Sequence, residues 1–86
     1  MTTTYALRFI VDNGDRKRGE FVSKKPPYTK STPDLINAHR YKQLSRAYEY
    51  GYWPLVNEIV EVDENNGILL VVKIVESRDA NITSVR

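Results

Sequence analysis

At 86 residues, 41% hydrophobic and 28% charged, the chain has room for one domain with a modest core and is too apolar for a disordered segment. It contains no cysteine, which excludes disulfides and thiolate metal sites and leaves stability to packing. Residues 1–56 hold ten Lys/Arg against five Asp/Glu, whereas residues 57–86 hold three against six, for a formal net charge of +2. This asymmetry reads either as an anionic partner for the first half or as two halves that attract each other. No dense single-sign block is present, which favours the second reading. The start, MTTTYALRF, lacks the charged and apolar regions of a signal peptide. The longest apolar run, Ile68 to Val72, falls far short of the ~20 residues of a membrane span. A cytoplasmic location with no membrane partner is the expectation.

Tyr5-Ala6-Leu7-Arg8-Phe9-Ile10-Val11 alternates as a strand, with Tyr5, Leu7, Phe9 and Val11 on one face. Asp12-Asn13-Gly14-Asp15 follows, and Asn-Gly favours a hairpin in which both residues adopt positive φ. The return strand is placed at residues 19–24, with Phe21 turned to the core. Arg16, Lys17 and Arg18 then lie on an elongated, basic hairpin end. Lys24-Lys25-Pro26-Pro27-Tyr28-Thr29-Lys30-Ser31 reads as a loop, because paired prolines favour an extended path and exclude a central strand. Thr32-Pro33-Asp34 resembles a helix start: a hydroxyl cap, Pro at the first helical position, and an acid in the first turn.

One straight helix cannot run from Pro33 to Gly51. At about 100° per residue, Leu44, Ala47, Tyr48 and Gly51 share one stripe while Leu35 points to the opposite side. The spacing predicts a short helical turn over residues 34–38, a break near His39-Arg40-Tyr41, and a helix over residues 43–50. Gly51 is read as its C-terminal cap, and Pro54 prevents continuation. Tyr48 falls on the inward stripe, and Tyr50 projects about 120° from Leu44.

Residues 56–63 alternate as a strand, with Val60 and Val62 on one face and Ile59 on the other. Asp63-Glu64-Asn65-Asn66-Gly67 is a second Asn-Gly turn. Residues 68–75 are apolar almost throughout, the pattern of a strand covered on both faces. The expected fold is α+β, ordered ββ-α(α)-ββ. It has a mainly antiparallel four-stranded sheet of two hairpins, with a short helical turn and one helix on one face. Residues 1–78 form a single domain and residues 79–86 a flexible tail. With helices on one face only, the second face needs a cover from the proline loop, the tail or another subunit, and a homodimer through this open face is the expectation.

No chemistry of catalysis stands out. The lone histidine, His39, sits beside Arg40 and Lys42, whose charges discourage a bound cation. The acidic turn after Val62 lacks the spacing and distal Glu of an EF-hand loop. No glycine-rich loop resembles a phosphate or dinucleotide cradle, and no Ser or Thr has a partner pattern for nucleophilic attack. The chain is therefore expected to be no enzyme and to need no cofactor or metal.

Two binding classes remain. Protein recognition favours Tyr, Trp and Arg, and Arg46-Ala47-Tyr48-Glu49-Tyr50-Gly51-Tyr52-Trp53 is rich in them. The candidate partner-binding residues are Arg46, Tyr50 and Trp53 with the basic hairpin end Arg16, Lys17 and Arg18. Nucleic-acid binding wants cations interleaved with exposed rings, and here the candidates are Lys24, Lys25, Tyr28, Lys30, Arg40 and Lys42. The same cations also read as a scattered basic surface, since there is no RNP-like strand, zinc finger or helix-turn-helix.

From Thr32 to Val62 the chain resembles small bacteriophage and prophage proteins. The matching layout is a hairpin, a Thr-x-Asp-Leu-x-x-Ala turn, a basic-aromatic link, a short helix and a Glu-Ile-Val-Glu-Val strand. The positions that carry it are Leu35, Ala38, Tyr41, Ala47, Ile59, Val60 and Val62. The resemblance implies a small protein that binds and blocks a host enzyme or defence complex by stoichiometric contact, or one that handles nucleic acid. A self-assembling structural subunit is the further alternative.

Overall fold

The computed structural model describes residues 2–26 and 28–78. The expected tail lies outside the described residues. The fold is α+β, with a mostly antiparallel sheet and one α-helix, as the patterning indicates. The order is β1 (Thr2–Phe9), β2 (Phe21–Val22), β3 (Ser31–Thr32), a 3-10 turn (Leu35–Asn37), β4 (Arg40–Tyr41), α1 (Leu44–Tyr50), β5 (Asn57–Asn65) and β6 (Ile68–Glu76). The sheet has six strands rather than four, in the order β3-β2-β1-β5-β6 with β4 also paired to β1. The two extra strands are two residues each, too short for an alternating pattern to announce them.

The two flanks of β1 differ. On one side it pairs with β5 along its whole length, from Thr2 opposite Glu64 to Phe9 opposite Asn57. On the other side, β4 takes Tyr5 and Ala6 while β2 takes Arg8. Because β1 and β5 are central, both of their faces are covered. Ala6, Val60 and Val62 pack with Phe21 and Ala38 on one face, closed by Leu35 of the 3-10 turn. Leu7, Phe9 and Ile59 pack with Val22 and Ala47 on the other. Ile59, Val60 and Val62 are fully buried, each worth about 1.5–3 kcal/mol of transfer free energy. The rim of the first core is closed by a cross-strand pair, Arg8 Nε to Glu58 Oε2 at 2.7 Å.

Several expectations are corrected. The strand covered on both faces is β5; β6 is an edge strand in which Ile68, Leu70, Val72 and Ile74 are exposed. Its apolar run therefore does not signal cover on both faces. The second sheet face is not bare either, since the Phe21 and Ala38 side chains pack on it and Leu35 of the 3-10 turn closes over them. Pro33 precedes the 3-10 turn instead of entering it, and the Thr32 hydroxyl accepts the Asp34 N–H at 3.2 Å. Of the first Asn-Gly pair only Gly14 (φ 62) takes positive φ, with Gly19 (φ 88) further along the hairpin end. Gly14 occupies the first central position of a reversal closed by two Asn13–Arg16 backbone bonds. The second Asn-Gly turn behaves as the sequence indicates, with Asn66 at φ 54 and Gly67 at φ 80.

The break between the 3-10 turn and α1 falls where the spacing places it, and α1 spans residues 44–50 with Gln43 at its N-cap. Seven residues are too few for a helix to persist by itself. Burial of Ala47, with Leu44 and Tyr52 against the same core, holds it on the sheet. Tyr48, expected inside, is 41% exposed: it meets Tyr52 edge-on and its hydroxyl donates to Glu76 Oε1 at 3.1 Å. Gly51 has φ −140, so no left-handed cap forms there. Its need for glycine is steric. A Cβ at this position would overlap Leu7 Cδ1 and stand 2.8 Å from the Tyr41 hydroxyl.

Candidate functional site

Where α1 ends above β1, the chain turns sharply and leaves a cleft of about 470 Å³, within the range of sites that hold a ligand group. Leu7, Phe9, Val22 and Val56 form its floor. One wall is a ladder of rings. Tyr28 lies 4.9 Å from His39, and His39 lies 4.5 Å from Tyr41 in an edge-on arrangement. Tyr50 and Trp53 stand on the α1 side, and Arg16 contributes from the hairpin end. Among the described residues no carboxylate lines the cleft.

Each wall has an identifiable support. Tyr41 lies in β4, whose pairing to Tyr5 of β1 fixes its place. His39 is set by its N–H donating to the Val22 carbonyl at 2.8 Å. Tyr28 has φ 65, a left-handed backbone that costs a non-glycine residue about 1 kcal/mol or more. Its N–H donates to the Lys25 carbonyl at 2.9 Å. From the neighbouring residue, the Thr29 carbonyl accepts Arg16 Nε at 3.1 Å, which ties the hairpin end to the loop carrying Tyr28. Trp53 is held by buried Asn57: Asn57 Oδ1 accepts the Trp53 N–H at 3.0 Å, and Asn57 Nδ2 donates to the Gly51 carbonyl at 3.1 Å. Tyr50 is braced by Arg46, which donates to its hydroxyl at 2.9 Å and lies 5.5 Å from its ring centre.

The electrostatics follow from this packing. Burial lowers the His39 pKa from its ordinary 6.5, favouring the neutral ring near pH 7. Burial, and secondarily the neighbouring Tyr28, raises the Tyr41 pKa, so its hydroxyl stays a donor at neutral pH. The hydroxyls of Tyr28 and Tyr41 and the indole N–H of Trp53 make no hydrogen bond to any described residue. They are presented to whatever enters. Tyr50 and Trp53 are 64% and 56% exposed, so neither ring is explained by core packing.

The structure thus gathers residues that the sequence assigned to different sets. Arg16, Tyr28, Tyr50 and Trp53 line one cleft. Lys17 and Arg18 follow Arg16 on the exposed hairpin end, where the Lys17 N–H donates to Ser31 Oγ and the Arg18 N–H to Asp12 Oδ1. Arg46 supports Tyr50 from outside and lies 3.9 Å from Glu49. The other cations are dispersed. Lys24 Nζ donates to the Ile36 carbonyl at 3.3 Å and Arg40 pairs with Glu64 at 3.6 Å, while Lys25, Lys30 and Lys42 are exposed and line no part of the cleft. Sequence reasoning missed His39, Tyr41 and Asn57 as parts of the site. An Asn beginning a strand that buries both faces was the available signal for the last.

Among the described residues, no group of three or more Asp, Glu or His side chains comes together as a metal site would require. No helix among them is long and apolar enough to cross a membrane. Compared with family models, curated proteins and solved structures, the chain matches none.

Proposed function

We propose that this chain is a small non-enzymatic binding protein of the phage or prophage type, acting in the host cytoplasm by stoichiometric contact with a host protein. The carrying observation is the ring-lined cleft, in which Tyr50 and Trp53 stay largely exposed while Asn57, Arg46 and Gly51 fix their positions. Rigid exposed aromatics over an apolar floor are the groups that supply hot-spot energy at protein interfaces.

The experiment is affinity capture from bacterial lysate, with and without nuclease, using the intact chain and its Tyr50→Ala and Trp53→Ala variants. The reading requires a protein retained in stoichiometric amount, insensitive to nuclease and lost by both variants. Retention that vanishes with nuclease would transfer the function to nucleic acid, and retention equal in all three chains would remove the cleft from the account.

Self-association is a second reading, favoured by the exposed Ile68, Leu70, Val72 and Ile74 on edge strand β6. An unpaired apolar edge is a template for another strand. Sedimentation showing only monomer at tens of micromolar would end it.

A further inference from the structure

We infer that the cleft recognises an extended, proline-containing peptide segment with an acidic flank, a ligand class that rests on the protein-binding reading above. The argument is an inventory of what the cleft offers and lacks. A polyproline-type segment makes no internal hydrogen bonds, so its carbonyls seek donors, while its rings pack on flat apolar surfaces. The cleft supplies donors on its rings: the hydroxyls of Tyr28 and Tyr41 and the indole N–H of Trp53, none bonded to a described residue. Among the described residues it supplies no carboxylate to compete for those donors. Aromatic grooves with donor groups on their rings are the recurring mode by which preformed proline-rich segments are held.

Charge sets the flank. Arg16 lines the cleft, and Lys17 and Arg18 continue from it on the same exposed hairpin end. No described carboxylate lies within ion-pair distance of any of these three side chains. A segment leaving the cleft past Arg16 therefore meets a guanidinium with no carboxylate partner among the described residues, and gains from Asp or Glu. The same inventory disfavours single-stranded nucleic acid, which needs cations tracking the backbone beside the stacking rings. Among the described residues one cation lines the cleft, its Nε is already given to the Thr29 carbonyl, and Arg40 and Lys24 are engaged elsewhere.

The test uses the intact chain and a display library of random dodecapeptides, with counter-selection on Tyr28→Ala and Trp53→Ala. Tyr28 and Trp53 are about half exposed, so both variants should fold, and thermal melting verifies it. Selected peptides are then titrated against the fluorescence of Trp53, the chain's single tryptophan. The expected result is enrichment of Pro-x-x-Pro or Pro-Pro spacings with Asp or Glu at one end. Replacing the prolines by Ala should weaken binding about tenfold or more, and replacing the acids by Lys should weaken it and reverse its salt dependence. Enriched peptides that need Trp53 but carry no proline excess would overturn the inference and leave the protein-binding reading standing. No Trp53-dependent peptide, together with saturable, salt-sensitive binding of a twelve-nucleotide oligothymidine, would overturn both.

Discussion

Gly51→Ala is the sharpest probe of how the fold shapes the cleft. The added methyl would overlap Leu7 Cδ1 and press on the Tyr41 hydroxyl. Leu7 is 2% exposed in the core beneath α1, so it cannot retreat without displacing Ala47, Phe9 or Ile59. Overpacking of this kind costs about 1–3 kcal/mol. Its φ of −140 lies outside the left-handed region, so removing glycine's freedom in the unfolded chain returns up to about 0.4–1 kcal/mol. The net loss is about 0–2.6 kcal/mol and centres near 1.3 kcal/mol, equivalent at the centre to a fall in Tm of roughly 5–10 °C for a domain of this size. Thermal melting by circular dichroism reads it directly. Gly51→Asn separates the two explanations of the glycine. Asn tolerates a left-handed cap, but its Cβ meets the same atoms as that of Ala. The steric account predicts that Asn destabilises at least as much as Ala. Near-wild-type melting of Gly51→Asn would refute it and restore the capping role.

Other consequences are independent of the cleft's ligand. Arg8→Ala leaves Glu58, 7% exposed, without its 2.7 Å partner. The loss should be about 2–3 kcal/mol by guanidinium denaturation, below the figure for a fully buried pair because Arg8 reaches solvent, and a change under about 0.5 kcal/mol would show the pair to be dispensable. Asn57→Ala removes the two bonds that hold the turn from Gly51 to Trp53 and should cost about 1–3 kcal/mol while broadening Trp53 fluorescence. An unchanged emission band would mean that the turn holds itself. His39 has a folded pKa below 6.5, so the unfolded chain takes up its proton first as pH falls. Its contribution is complete above pH 6.5 and is lost as pH falls from 6.5 through the lowered folded value. His39→Phe, which keeps a ring between Tyr28 and Tyr41, should flatten the stability profile in that window; an unaltered slope would assign the effect elsewhere.

The fold class was legible because β1, β5, the second Asn-Gly turn and the break between the 3-10 turn and α1 each obey a local rule of period or turn chemistry. β3 and β4 were not, because a two-residue strand has no period and forms only when a neighbouring edge receives it. The position of β6 at the sheet edge was hidden for a related reason: an apolar run records hydrophobicity, not the number of neighbours. Helical projection sent Tyr48 inward, but the stripe is narrow and Ala47 alone of α1 is buried, leaving Tyr48 to reach Glu76 across the surface. Tyr50 and Trp53 were visible as rings without a packing role. Their convergence with Arg16 and Tyr28 was not, because it depends on a long hairpin end and a proline loop folding back beside β4.

The central claim is that the rings over this cleft are displayed for a partner rather than packed for stability. Parallel measurement of Tm and of the amount of captured host protein for Trp53→Ala tests it most directly. With Trp53 56% exposed, the account predicts a stability loss of no more than about 1 kcal/mol alongside a fall in captured partner of about tenfold or more. A loss of several kcal/mol with the partner still bound would contradict it and return Trp53 to the core.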